Sequence, residues 1–245
     1  MTAAGDLTGS AGASVYDALA PHYREYARER QAYLAAVDRY IVEHAPAAVE
    51  SLLDVGAGDG VRGLELARSL GARRVVLCEP SREMAARCRQ LSADAVWEVP
   101  AQDMPYGGRP FDVVLCLWNV LGHLAGRALR LAALKAIKRL LAPAGAVFLD
   151  VNNRHNAAAY GSLRVLARRL ADFAAPDDRR GDAVFQWNVG GVNLPGTGHL
   201  FTPAEIEGLI VESGLCVADR IAVHYATGAY SASPFRGQLL YRAVP

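Results

Sequence analysis

"LLDVGAGDG", residues 52–60, decides how this chain is read. An apolar run closes on Asp54 and Val55, and glycine then stands at 56, 58 and 60. Glycine loses more backbone freedom on folding than any other residue. Three of them in alternation therefore call for a turn that other residues make poorly and a main chain that something lies against. "SLLDV" predicts a buried strand, and "GVRGLELARSL" predicts a helix that stops at Gly71.

The alternation continues outward. "RVVLCE", "AVWEV", "FDVVLCLW" and "AVFLDV" read as further strands, separated by the helical stretches "SREMAARCRQL" and "RALRLAALKAIKRLL" and by the loop "PAQDMPYGGRP". Ser81 is the expected N-cap of the first of these helices. Strands that are continuous apolar runs between helices imply a parallel sheet covered on both faces. After Val151 the rhythm breaks. Residues 152–201 read as an insert with a helix-like stretch and two short strand candidates around "VFQW" and "GHLF". Thr202 and Glu205 then form a capping-box pattern, and "LCVADRIAVHYA" and "GQLLYRAV" close the chain as a strand pair. Upstream, residues 15–45 read as a helical cap with Pro21 dividing it. The expected architecture is α/β: a doubly wound, mostly parallel, seven-stranded Rossmann-like sheet with N-terminal helices and an insert after strand five. Residues 15–245 form one domain behind a disordered 1–14.

Bulk properties narrow the function. The 245 residues carry 26 basic and 25 acidic side chains, so no overall field draws the chain to nucleic acid or an anionic membrane. Basic clusters at 168–170 and 177–180 read as solvated faces. Cys78, Cys88, Cys116 and Cys216 are too dispersed for a disulfide framework or a zinc site. The N-terminus lacks the apolar segment of a signal peptide, and no stretch reaches membrane-spanning length. A cytoplasmic location is expected.

In a doubly wound sheet, ligands bind outside the carboxyl ends of the strands where strand order reverses. Gly58-x-Gly60-x-x-Gly63 spells a dinucleotide fingerprint, and Glu79 stands about twenty residues on. A nicotinamide dehydrogenase is therefore one reading. The other frame starts at Gly56 and carries Asp54 two residues earlier. A carboxylate there sits poorly beside a pyrophosphate and suits a ligand bearing an ammonium group. Glu79 at the end of strand two serves either ligand, since a carboxylate accepts from both ribose hydroxyls.

"LLDVGAGDG", "CEPS", "AQDM" and "FDVVLCLWNVLGHL", in that order, resemble the successive motifs of class I S-adenosylmethionine-dependent methyltransferases, over about residues 50–151. The resemblance implies S-adenosylmethionine as cofactor. It assigns Asp54, Gly56, Gly58 and Gly60 to the methionine and ribose portions and Glu79 to the ribose, with Pro80 or Ser81 beside the adenine. Asp103 would meet the adenine amino group, flanked by Gln102 and Met104, and Leu117 would join this set. Within the family, "CLWNVLGHL" is similar to the corresponding segment of glycine N-methyltransferases and related small-molecule enzymes. That similarity implies Asn119 and His123 as catalytic candidates, with Trp118 and Asn119 toward the acceptor. "DVNNRHN" opens onto the same crevice, which adds Asn153 and Arg154 as acceptor contacts. "VYDALAPHYREYARER" resembles the N-terminal helices that close over the cofactor. It implies Tyr23 and Arg30 toward the cofactor and Tyr16 toward the acceptor. No metal-ligand cluster stands out.

The preferred reading is a methyltransferase moving a methyl group to N or O of a small-molecule acceptor by in-line displacement. Neither nucleic acid nor membrane is expected as a partner, and the oligomeric state is left open, a homodimer included. An RNA methyltransferase and a non-catalytic, cofactor-binding subunit are the alternatives.

Overall fold

The computed structural model describes residues 10–175, 177–189 and 192–245. Of the expected disordered stretch 1–14, residues 1–9 lie outside the described residues, and the first helix begins at Ser10. Ten strands follow in chain order: β1 Ser51–Val55, β2 Arg74–Cys78, β3 Ala95–Trp97, β4 Phe111–Cys116, β5 Leu141–Val151, β6 Asp182–Val189, β7 Val192–His199, β8 Cys216–Val223, β9 Tyr230–Ser231 and β10 Gln238–Val244. The helices are α1 Ser10–Leu19, α2 Tyr23–Arg28, α3 Gln31–His44, α4 Val61–Leu70, α5 Arg82–Cys88, α6 Gly126–Leu140, α7 Ala157–Tyr160, α8 Ser162–Ala174 and α9 Pro203–Glu212.

Every residue of β1 is buried, because alternate side chains enter cores on opposite sides of the sheet. Leu53 and Val55 pack with the α6 and α9 side chains Leu134, Ile137 and Ile206. Leu52 packs with Val37 and Ile41 of α3 and Leu64 of α4. A sheet buried on both faces tolerates the unbroken apolar runs seen in its strands.

The strand order is β3-β2-β1-β4-β5-β10-β8-β9. β1 pairs in parallel with both β2 and β4, whereas β10 runs antiparallel to β5 and β8. The sheet thus has eight strands rather than the seven expected. The eighth, β9, has two residues paired to β8, too short to show any alternation in sequence. Order reverses at β1, so the glycine turn that follows it opens at the switch point of the sheet.

Local chemistry holds the helix ends. The Ser81 hydroxyl accepts from Met84 N–H at the start of α5, and Thr202 and Glu205 form the capping box of α9. Pro21 lies in a short 3-10 turn, Ala20–His22, between α1 and α2. The insert contains α7, α8 and a separate hairpin in which β6 pairs antiparallel with β7 from Asp182↔His199 to Val189↔Val192. At the foot of this hairpin His199 is fully buried. Its ring nitrogens lie 2.7 Å from Asp182 Oδ1 and 2.7 Å from Glu205 Oε1, and Arg130 of α6 reaches Asp182 at 3.3 Å. The hairpin is therefore fastened to α6 by an ion pair and to α9 by a hydrogen bond.

Candidate functional site

Gly56, Gly58 and Gly60 all take positive φ, +72°, +58° and +76°, a region that costs other residues about 1–2 kcal/mol. Gly63 does not; it sits in α4, and a Cβ there would run into the Asp54 carboxylate. The turn therefore starts at Gly56, and Gly63 leaves room for the acid that closes β1. Asp54 and Glu79 are both buried, 6% and 5% exposed. Burial pushes each up to a pKa of about 7. The Arg62 guanidinium opposes this at Asp54. At Glu79, two hydrogen bonds oppose it, accepted from Gly58 N–H and Ser81 N–H at 2.8 Å each.

These groups face one cavity of about 510 Å³ that runs from the glycine turn to the underside of the β6–β7 hairpin. Of the residues singled out from sequence, Tyr16, Tyr23, Asp54, Gly56, Gly58, Glu79, Pro80, Gln102, Leu117, Trp118 and His123 line it. Gln102 Oε1 is buried there with no hydrogen-bond partner among the described residues. Tyr23 lies over the turn, with its hydroxyl 2.6 Å from where a Cβ on Gly58 would sit. Trp118 is stacked on Tyr26 and tilted against Tyr23, with ring centroids 5.3 and 5.7 Å away.

At the far end, the Tyr16 hydroxyl and His123 Nε2 are 2.9 Å apart, with the rings edge to face. His123 ends a 3-10 turn, Val120–His123. Desolvation pushes its pKa below the ordinary 6.5, so the imidazole is neutral at pH 7. Desolvation pushes Tyr16 upward, so its phenol stays protonated. Facing them from the hairpin are Asp182, Ala183, Val184, Thr197 and Gly198.

The other sequence candidates lie elsewhere. Asp103 is exposed and Met104 packs in the core. Gly60 faces Leu77, Cys88 and Leu91. Arg30 stacks on Tyr26 and bonds Glu29. Asn119 is buried and stitches the fold: its Oδ1 accepts from Asn152 N–H at 2.9 Å, and its own N–H donates to Asp150 O. It borders a smaller cavity of about 110 Å³ beside the first. Asn153 donates to Pro234 O and Gly237 O, and Arg154 pairs with Asp172 at 2.9 Å. The side chain of Trp187, in the strand candidate "VFQW", lies outside the described residues.

The sequence reading passed over Arg62, which lines the cavity, and Asp150, which supports Trp118 from behind it. Trp118 and Asn119 both hold φ near +63°, a strained arrangement for two consecutive non-glycine residues. The buried Asp150 carboxylate accepts from Trp118 N–H and from the Tyr33 hydroxyl, which fixes that bend. Asp150 carries the same signal as Asp54, an acid closing an apolar strand. Arg62, paired with Asp38 at 2.8 Å, gives no such signal, since a cation in a helix's first turn reads as solvated. Among the described residues no group of three or more His, Cys, Asp or Glu side chains is placed to hold a metal, and no helix is long and apolar enough to cross a membrane.

Residues 52–145 match a family model described as a methyltransferase domain. The chain is 36% identical over 127 residues to dTDP-3-amino-3,6-dideoxy-alpha-D-glucopyranose N,N-dimethyltransferase of Streptomyces fradiae. That match spans 52% of this chain and 47% of the relative, so it reaches about half the length of either protein. Among solved structures, DesVI of Streptomyces venezuelae superposes with a TM-score of 0.62 at 20% identity, covering 92% of this chain and 98% of DesVI. CalS10 of Micromonospora echinaspora, an amino pentose methyltransferase with S-adenosylmethionine bound, superposes at 0.60 with 20% identity, covering 90% and 95%. These two likenesses establish the fold. The motif order, the switch-point glycine turn and the family match agree on one stretch: residues 52–145 are similar to a methyltransferase domain, carried on the fold these methyltransferase structures share.

Proposed function

We propose that this chain transfers a methyl group from S-adenosylmethionine to the amine of a small-molecule acceptor, and that an amino sugar carried on a nucleotide is the acceptor class to test first. The observation that carries the reading is the single cavity joining the glycine turn and Glu79 to the Tyr16–His123 pair. The Streptomyces fradiae relative, named for dimethylating a nucleotide-linked amino sugar, supplies the acceptor class.

The residues present fit the cofactor. Asp54 suits its α-ammonium and Glu79 its ribose hydroxyls. The unpartnered Gln102 Oε1 suits the adenine amino group, since an exocyclic amine is a donor. Asp103, exposed and off the cavity, is replaced in that role. Pro80, Ala101 and Leu117 form apolar walls for a flat ring. When bound, the donor supplies an electrophilic methyl on a sulfonium whose leaving group is neutral, so alignment dominates the barrier.

An amine acceptor reaches the site mostly as an ammonium and must shed a proton before its nitrogen can attack. His123, neutral at pH 7 and lining the cavity, takes that proton. The Thr197 backbone engages one ring nitrogen and the Tyr16 hydroxyl stands 2.9 Å from Nε2, so the proton passes through Tyr16: its oxygen accepts from the ammonium as its own proton moves to Nε2. General-base assistance of this kind is worth roughly 10²–10⁴ in rate. The hairpin and the stacked Trp118 keep water from the transfer path.

The test is label transfer from methyl-labelled S-adenosylmethionine to nucleotide-linked amino sugars and to their hydroxyl counterparts. Label on the amine alone is expected. Label on hydroxyl compounds, or on neither set, would remove the acceptor assignment and leave cofactor binding to be judged by calorimetry.

A further inference from the structure

Helix α8 has the composition of a packed helix and almost nothing to pack on. Of its 13 residues only Val165 is buried. Its other apolar side chains stand in solvent: Leu163 is 85% exposed, Leu166 51%, Leu170 63% and Phe173 89%. Their spacing of three, four and three residues places all four on one stripe. The opposite face already faces the body of the protein. There Val165 is buried, Arg168 donates to Arg154 O at 3.0 Å and stacks over Tyr160, and Asp172 pairs with Arg154 and His155 at 2.9 Å each. A helix of this length is marginal in water without tertiary packing of its apolar face.

We infer that the α8 stripe is a homodimer interface, in which α8 of one protomer packs antiparallel against α8 of its partner. A two-fold interface requires a patch complementary to itself. The three-four-three spacing has that property, because a two-fold axis at the level of position 168 sets each Leu163 against a Phe173 and each Leu166 against a Leu170. The flanks agree. Ala167, Ala171 and Ala174 let two backbones approach. Arg169 is drawn back over the Phe235 ring at 4.2 Å, and Arg168 is held as described, so few cations border the stripe to seek an acidic protein or an anionic lipid. The four side chains expose on the order of 500 Å² of apolar surface, in the upper part of the range for the largest patch on a soluble protein, where such patches are often functional. That is over half of the roughly 800 Å² per partner that a standard interface buries, and the alanines and arginine stems extend it.

Light scattering on the full chain as it elutes from a sizing column should give twice 26.2 kDa, and Leu166→Glu combined with Leu170→Glu should halve that mass while circular dichroism and cofactor affinity stay unchanged. Ala167→Cys, made with Cys216→Ser because Cys216 is the exposed native thiol, should form an interprotomer disulfide on mild oxidation, as the two sulfurs flank the axis. This second variant decides the matter if the glutamate pair fails to fold. A monomeric wild-type chain at every concentration, a dimer indifferent to the glutamates, or no crosslink through the thiol introduced at position 167 would each overturn the inference. So would a monomer that binds phosphatidylglycerol vesicles through this stripe.

Discussion

If Asp54 receives the α-ammonium of S-adenosylmethionine, cofactor affinity must follow the ionisation of one buried carboxyl. Burial raises that pKa from the ordinary 3.8 to about 7, so in the free protein the group is half protonated at neutrality. A carboxyl with that pKa is roughly 97% protonated at pH 5.5 and half protonated at pH 7. A cation that binds only the ionised form therefore gains roughly fifteenfold in affinity between those pH values. Glu79, also near 7, would steepen the slope, and the Asp54→Asn variant separates the two.

Stability of the free chain runs the opposite way. A carboxyl whose folded pKa is raised stabilises the fold below pH 4, and that contribution is lost as pH climbs through 7, about 4 kcal/mol from Asp54 at full ionisation. The assay is calorimetric titration with S-adenosylhomocysteine from pH 5.5 to 7.0, beside thermal unfolding with and without ligand. The free chain should become less stable as pH rises while the ligand's stabilising effect grows. Affinity level across the window, or an Asp54→Asn variant that keeps the full slope, would refute the ammonium assignment.

Gly58→Ala places a methyl 2.6 Å from the Tyr23 hydroxyl at a φ of +58°; calorimetry should show at least a tenfold loss of cofactor affinity and chemical denaturation a loss of about 1–2 kcal/mol. His123→Ala should lower kcat by roughly 10²-fold or more with cofactor affinity unchanged, and Tyr16→Phe should cost a similar factor, since its hydroxyl carries the proton to the base. His199→Ala removes the hydrogen bonds that join Asp182 to Glu205 and leaves Arg130 as their remaining link; a destabilisation of about 1–3 kcal/mol and faster proteolysis within β6–β7 are expected. Asp150→Asn should loosen the strained bend at Trp118 and Asn119, read as altered Trp fluorescence and a raised acceptor KM.

What could be read in advance divides along a physical line. Backbone demands are visible in residue type: a glycine at 56 announces a dihedral closed to other residues, and Gly58 and Gly60, read as bare main chain for a ligand, take positive φ as well. Both competing motif frames contained real information. Gly63 belongs to the dinucleotide pattern, yet here its missing Cβ makes space for Asp54, the acid that favours the other frame. Hydrogen-bonding partners are not visible in the same way. Asn119 and Asn153 stand at strand ends facing the crevice, and the amide chemistry that would recognise a substrate is the chemistry that closes those strand ends onto Asn152, Pro234 and Gly237. Sequence shows the capacity to bond and leaves the partner open. The same limit governs apolar periodicity. The helical repeat of α8 marks a face that must be covered, just as it does in α6, whose Leu134 and Ile137 reach the sheet. Only the folded chain shows that Leu163, Leu166, Leu170 and Phe173 stand exposed among the described residues, which is why the inferred cover is a second copy of the helix.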